Sequence, residues 1–238
     1  MKIAIMQPYF FPYIAYWQLI NYSDMFVLFD DVQYIRHGWI NRNRVLKDYN
    51  GNWKYITLPL EQHRREELIK NIKIRENLNI YETITNNLSL YKKRAPYYDE
   101  VINEIEKITG NLKERNIAKI NEVIIKNLCS FLGIHTKIIV SSDQKFDYSN
   151  VLGPGDWAFE ISKQLGATEY TNPYSGEALF NKQKFFDNGI KISFLKRREI
   201  SYNQMSSEFI QDLSILDILM FNDVGTIQKY LNEFDLSP

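Results

Sequence analysis

The segment from Lys2 to Asp31, KIAIMQPYFFPYIAYWQLINYSDMFVLFDD, decides the fold. Lys2 to Met6 is a short apolar run that reads as a buried strand, and Tyr13 to Ser23 spaces Ile14, Trp17, Leu19 and Ile20 at helical intervals. Asp24 to Asp31 reads as a second strand. A strand, helix and strand this closely joined form the βαβ unit of a parallel sheet, with a right-handed crossover. Met6 to Pro12 then lies at the carboxyl edge of the first strand, and Asp30 and Asp31 at that of the second. Ligands of open α/β sheets sit along that edge.

Downstream patterns extend the unit. Val45 to Leu60 reads as a hairpin turning at Asn50-Gly51. From Ile80 to Leu132 the pattern is helical, with Pro96 suited to a helix start and Gly110 and Gly133 to helix stops. Strands are expected at His135 to Asp143, Ala167 to Asn172 and Ile190 to Lys196. Helices are expected at Asp156 to Gly166, capped by Asp156, and at Gly176 to Gly189. Ser206 to Leu231 reads as helical. The expected architecture is an α/β fold, Rossmann-like and doubly wound, with a mainly parallel sheet, a helical insertion at about 78–133 and a C-terminal helical cover at about 203–238. No linker or repeat interrupts the chain, so one domain, 1–238, is expected.

Composition narrows the partners. Among 238 residues, 29 Lys and Arg balance 29 Asp and Glu, so no bulk charge draws the chain to nucleic acid or to an anionic membrane. No apolar run is long enough to span a bilayer, and Pro8 interrupts the N-terminal one too early for a signal-peptide core. A cytoplasmic location and no membrane insertion are expected. The single cysteine, Cys129, falls in an amphipathic helix and reads as a small buried hydrophobe.

Two segments concentrate chemistry. In MQPYFFPY, Pro8 and Pro12 stiffen the backbone, Gln7 offers a donor and an acceptor, and Tyr9, Tyr13 and Tyr16 offer rings and hydroxyls. In FDDVQYIRHGWINRNRV, Phe29 to Val45, Asp30 and Asp31 are followed by Gln33, Arg36, His37, Trp39, Asn41, Arg42, Asn43 and Arg44. Strand alternation would put Arg42 and Arg44 on one face, suited to a pyrophosphate, and Asn41 and Asn43 on the other. Trp39 offers a face for a ring. His37, next to the permissive Gly38, is a candidate general base, as is Asp31. His63 and His135 are weaker candidates. Asp30 or Asp31 could hold Mg²⁺, but the spacing is nonspecific and no metal site is assigned. Ser175 and Gly176, between a strand and a helix, form a candidate anion or ribose site. Neither G-x-G-x-x-G nor G-x-x-x-x-G-K-[ST] is present, and G-x-S-x-G is absent as well.

MQPYFFPYIAYWQLI, FVLFDDVQYIRHGWINRNRV, YTNPYSGEALF, GIKISFL and LSILDILMFN, in this order, resemble the WbqC-like family, encoded among bacterial genes for O-antigen and other surface polysaccharides. The resemblance spans nearly the whole chain. It implies an enzyme that places an acyl or aminoacyl group on the amino group of a nucleotide-linked sugar. The opening is also similar to the HIGH-motif nucleotidyltransferase and pantothenate-synthetase superfamily, which brings in ATP and Mg²⁺ as candidate cofactors. Pro12 to Tyr16 stands where the His-x-Gly-His signature would fall and holds neither histidine, so Tyr13, Tyr16 or His37 would have to replace its hydrogen bonds.

The leading expectation is therefore an amide-forming N-acyl or N-aminoacyl transferase or ligase in surface polysaccharide biosynthesis, with a nucleotide sugar as its small-molecule partner. Arg42 and Arg44 would hold the diphosphate, Trp39 or Tyr9 would stack a ring, and His37 or Asp31 would take a proton. The rival is a noncatalytic sugar-nucleotide or glycan binding module that partners a transferase. The oligomeric state is left open, since the chain could form an oligomer.

Overall fold

The computed structural model describes residues 1–238. The chain opens with β1 (Lys2–Met6), α1 (Ile14–Tyr22) and β2 (Met25–Leu28), as the opening segment predicts. A hairpin follows, β3 (Arg42–Leu46) and β4 (Trp53–Thr57), then α2 (Ile80–Asn87), α3 (Tyr98–Thr109) and α4 (Ile117–Leu132). The alternation resumes with β5 (Lys137–Val140), α5 (Asp156–Gln164), β6 (Glu169–Pro173), α6 (Lys182–Asp187) and β7 (Lys191–Arg197). Helices α7 (Ile215–Phe221) and α8 (Val224–Tyr230) and a last strand, β8 (Phe234–Ser237), close the chain.

Six strands form one sheet in the order β5-β2-β1-β6-β7-β8, all parallel except β8, which runs antiparallel to β7. The chain moves outward from β1 to β2 and β5, then returns to the other side of β1 to lay down β6 and β7. This is the doubly wound order, with its reversal between β1 and β6. β3 and β4 form a separate two-stranded sheet.

Both faces of the sheet are covered, so β2 is buried at all four positions. Alternate side chains serve opposite cores. Ala4, Phe26 and Leu28 join a 48-residue cluster with α1, α4, α7 and the hairpin, whereas Ile3, Ile5, Met25 and Val27 join a 14-residue cluster with α5. The larger cluster includes residues of α2 to α4, so the inserted helices share a core with the sheet.

Local chemistry explains the helix ends. Asn79 and Asn116 accept hydrogen bonds from the amides of Glu82 and Lys119, and Gly133, at φ 70°, ends α4 in the left-handed conformation. Several expectations differ from the structure. Ser206 to Ser214, expected to be helical, is irregular, and α7 begins only at Ile215. Asp156 does not cap α5; its carboxylate accepts from the amides of Leu152 and Gly153 and pairs with Lys184. Gly176 to Gly189 splits into a 3₁₀ turn, Tyr174–Leu179, and α6. The C-terminal cover ends in β8 rather than in helix. FDLS has little strand character of its own, and the exposed edge of β7 recruits it.

Candidate functional site

The Gln7–Tyr13 segment is held by buried polar side chains from distant elements. The carbonyl of Gln7 accepts from the Tyr16 hydroxyl at 2.9 Å, that of Pro8 from Asn121 Nδ2 at 2.7 Å, and those of Phe10 and Phe11 from Asn43 Nδ2 at 3.0 and 2.9 Å. Ser214 Oγ also donates to Phe11, Trp17 Nε1 donates to Pro12, and the Phe10 amide donates to Trp39. These bonds hold Phe11 at φ 42°, a conformation costly for an aromatic residue. Phe10 and Phe11 are fully buried, while Gln7, Tyr9 and Tyr13 remain half-buried. Burial, reinforced by nearby Tyr13, pushes the Tyr9 hydroxyl up to about 12.

Strand alternation in INRNR is as expected. Arg42 and Arg44 lie on the outer face of β3, and Asn41 and Asn43 are buried. Asn41 donates to Leu58 and accepts from the Tyr34 hydroxyl. On the outer face, Arg42 lies 4.0 Å from the Tyr55 ring centroid, and Arg44 lies 5.3 Å from that of Trp53 and 5.7 Å from that of Trp39. The guanidinium of Arg42 donates to the carbonyls of His37 and Gly38. That of Arg44 donates to the carbonyl of Asp212 at 2.8 Å, and its buried Nε has no partner in the chain.

Tyr13, Trp39, Asn43, Arg44 and Asp212 line one cavity of about 220 Å³. The two motifs, separated in the chain by α1 and β2, meet there. Tyr13 follows β1, and Asp212 pairs through its carboxylate with Arg197, the last residue of β7, at 3.1 Å. The cavity therefore stands on the carboxyl side of the sheet. Burial raises the Tyr13 hydroxyl above its ordinary value; the Asp212 carboxylate adds to this, and Arg197 opposes it.

A second cavity, of about 420 Å³, takes its lining from the preceding residues of β3 and the turn before it: His37, Asn41 and Arg42, with Tyr34, Arg36 and His63. His37 sits at φ 62° in an exposed turn.

The remaining candidates lie elsewhere. Asp31 is tied to Lys70 at 2.7 Å and to the Tyr148 hydroxyl at 3.1 Å, so it lines neither cavity. This bond to Asp31 raises Lys70 above its ordinary value. Asp30 is buried and accepts from Ser141 Oγ, Ser142 Oγ and the Ser142 amide. Both carboxylates already have partners, and no cluster of three His, Cys, Asp or Glu side chains is arranged to hold a metal ion. Gln33 is exposed and donates to the Arg65 carbonyl. Tyr16 and Pro8 are buried. Ser175 is exposed, and Gly176 packs so closely that a Cβ there would stand 2.2 Å from Asn172 Nδ2. In the first turn the carbonyls of Gln7, Pro8, Phe10 and Phe11 are engaged and the hydroxyl of Tyr16 is spent on Gln7, so Tyr16 is not free to replace a histidine of the His-x-Gly-His signature.

Sequence reasoning missed Asp212 and Tyr55. Asp212 stands at φ 56° in a polar stretch resembling any helix lead-in, and only the tertiary fold brings it to Arg44.

The sequence that folds into this sheet and cavity has relatives among known proteins. Residues 7–229 match the WbqC-like protein family, and the chain belongs to that family. It is 28% identical over 235 residues to the uncharacterized protein Rv1507c of Mycobacterium tuberculosis (strain ATCC 25618 / H37Rv), with 97% of each chain covered. No solved structure matches.

Proposed function

We propose that the protein is a transferase that forms an amide on the amino group of a nucleotide-linked sugar used in surface polysaccharide. The observation that carries this reading is the cavity shared by Tyr13, Trp39, Asn43, Arg44 and Asp212. It combines an aromatic face, the Arg44 guanidinium and Asp212, whose carboxylate pairs with Arg197, a set suited to a ring, a phosphate and a sugar hydroxyl. The nucleotide end occupies this cavity, and the sugar amine reaches toward His37 in the neighbouring one.

An amine attacks only through a free electron pair. His37 accepts the ammonium proton as the nitrogen–acyl bond forms and the bond from acyl carbon to leaving group breaks, with its electron pair departing on that group. Asp31, committed to Lys70 and Tyr148, is left to a structural role, so the base assignment falls to His37.

The test incubates the protein with nucleotide-linked amino sugars and a set of acyl and aminoacyl donors, and follows the mass of the sugar nucleotide. A mass gain is expected, slowed about a hundredfold in His37→Asn. Asparagine tolerates the positive φ at this position. Tight binding with no mass change under any donor would instead assign the noncatalytic binding role.

A further inference from the structure

The geometry points to a second anion site, a trough beside the hairpin that binds the phosphoryl or diphosphoryl group of the acyl donor. This inference deepens the proposed transferase reading and rests on it. The 420 Å³ cavity at His37 continues into one of about 660 Å³, and the two share Glu61, Gln62 and His63. Together they gather Arg36, His37, Arg42, His63, Arg64 and Lys73. In a chain whose formal charges cancel and which has only three histidines, this is a local concentration of positive groups.

The nearby acids do not neutralise it. Glu61 pairs with Arg115, which comes from outside the trough, and Glu67, bonded only by the neutral amide of Asn71, sets one negative charge against the four positive charges of Arg36, Arg42, Arg64 and Lys73. Arg36 and Arg64 are exposed, and no carboxylate pairs with either side chain. The support is preorganised. Arg42 fixes the carbonyls of His37 and Gly38, and the His63 ring rests edge-on against Tyr34 with centroids 5.0 Å apart. Arginine forks and imidazoles on a concave, polar surface suit a dianionic phosphate better than a sugar or an apolar chain. His37 lines the trough two residues before Trp39, which lines the other cavity.

Inorganic pyrophosphate is the probe, titrated at low salt by calorimetry and by the histidine ring resonances. Binding is expected to shift the signals of His37 and His63 and to leave His135, on the amino side of β5, unmoved. The double variant Arg36→Ala/Arg64→Ala should weaken binding about tenfold or more, while Trp39→Ala leaves it intact. A saturating nucleotide-linked amino sugar should not displace pyrophosphate. Absence of binding, or binding indifferent to the arginine pair, would overturn the inference. Mutual displacement would too, by assigning the trough to the acceptor's own diphosphate. None of these readouts needs turnover, so failure here is distinguishable from failure of the transferase reading.

Discussion

At the scale of single residues, Asn43 shows how a polar side chain in a conspicuous motif serves the frame of a site. Its amide bridges the carbonyls of Phe10 and Phe11 from a position almost wholly removed from solvent. Asn43→Ala leaves the Phe10 carbonyl buried without this donor, whereas Phe11 keeps Ser214. A loss of about 2 kcal/mol is expected, read as a lower urea midpoint at unchanged slope. A loss within a few tenths would show that the bridge contributes little. The alternation that put Asn41 and Asn43 opposite Arg42 and Arg44 was legible from spacing alone. That the asparagines bind the chain's own carbonyls was not, because their partners lie across the fold.

Among elements, the Gln7–Tyr13 segment behaves as part of the core despite having no regular structure. Prolines limit its backbone, and donors from α1, β3, α4 and the lead-in to α7 hold its carbonyls. Hydrogen exchange should find the Phe10 amide, bonded to the Trp39 carbonyl at 2.8 Å, in the slow class with β1. Exchange at the rate of a surface turn would contradict that rigidity. Stiffness was readable from Pro8 and Pro12, as was the βαβ unit around them. The strand β8 was not, since its pairing depends on an edge that the rest of the sheet creates. The convergence of the loop with the hairpin was likewise hidden, because Asn121 and Asp212, far along the chain, help to define it.

The whole molecule responds to pH through Asp217. Its carboxylate is fully buried in α7 and accepts from Tyr91 at 2.6 Å, Tyr202 at 2.5 Å and Gln204 at 2.8 Å. Burial raises it to about 6 and outweighs these bonds, which favour the ionised form. Between about pH 4 and 6 the folded protein therefore holds more protons than the unfolded chain, and this group's contribution to stability rises as pH falls through 6. The gain is of order 2–3 kcal/mol. Asp48, Asp147, Asp156, Asp223 and Asp235 are lowered by their hydrogen-bond partners, so their stabilisation is lost only below about pH 4. The melting temperature should be higher at pH 5 than at pH 7.5, and Asp217→Asn should remove most of that difference. An unchanged difference in the variant would place its origin elsewhere.

Occupation of the Tyr13, Trp39, Asn43, Arg44 and Asp212 cavity by a nucleotide-linked amino sugar is read by a thermal-shift titration. A ligand at a hundred times its dissociation constant adds roughly 2.7 kcal/mol, or about 5–10 °C for a chain of this size. The wild-type protein should show such a shift with at least one member of a nucleotide amino-sugar panel, and Trp39→Ala and Arg44→Met should each lose most of it. A shift that survives both substitutions, or no shift across the panel, would contradict the assignment.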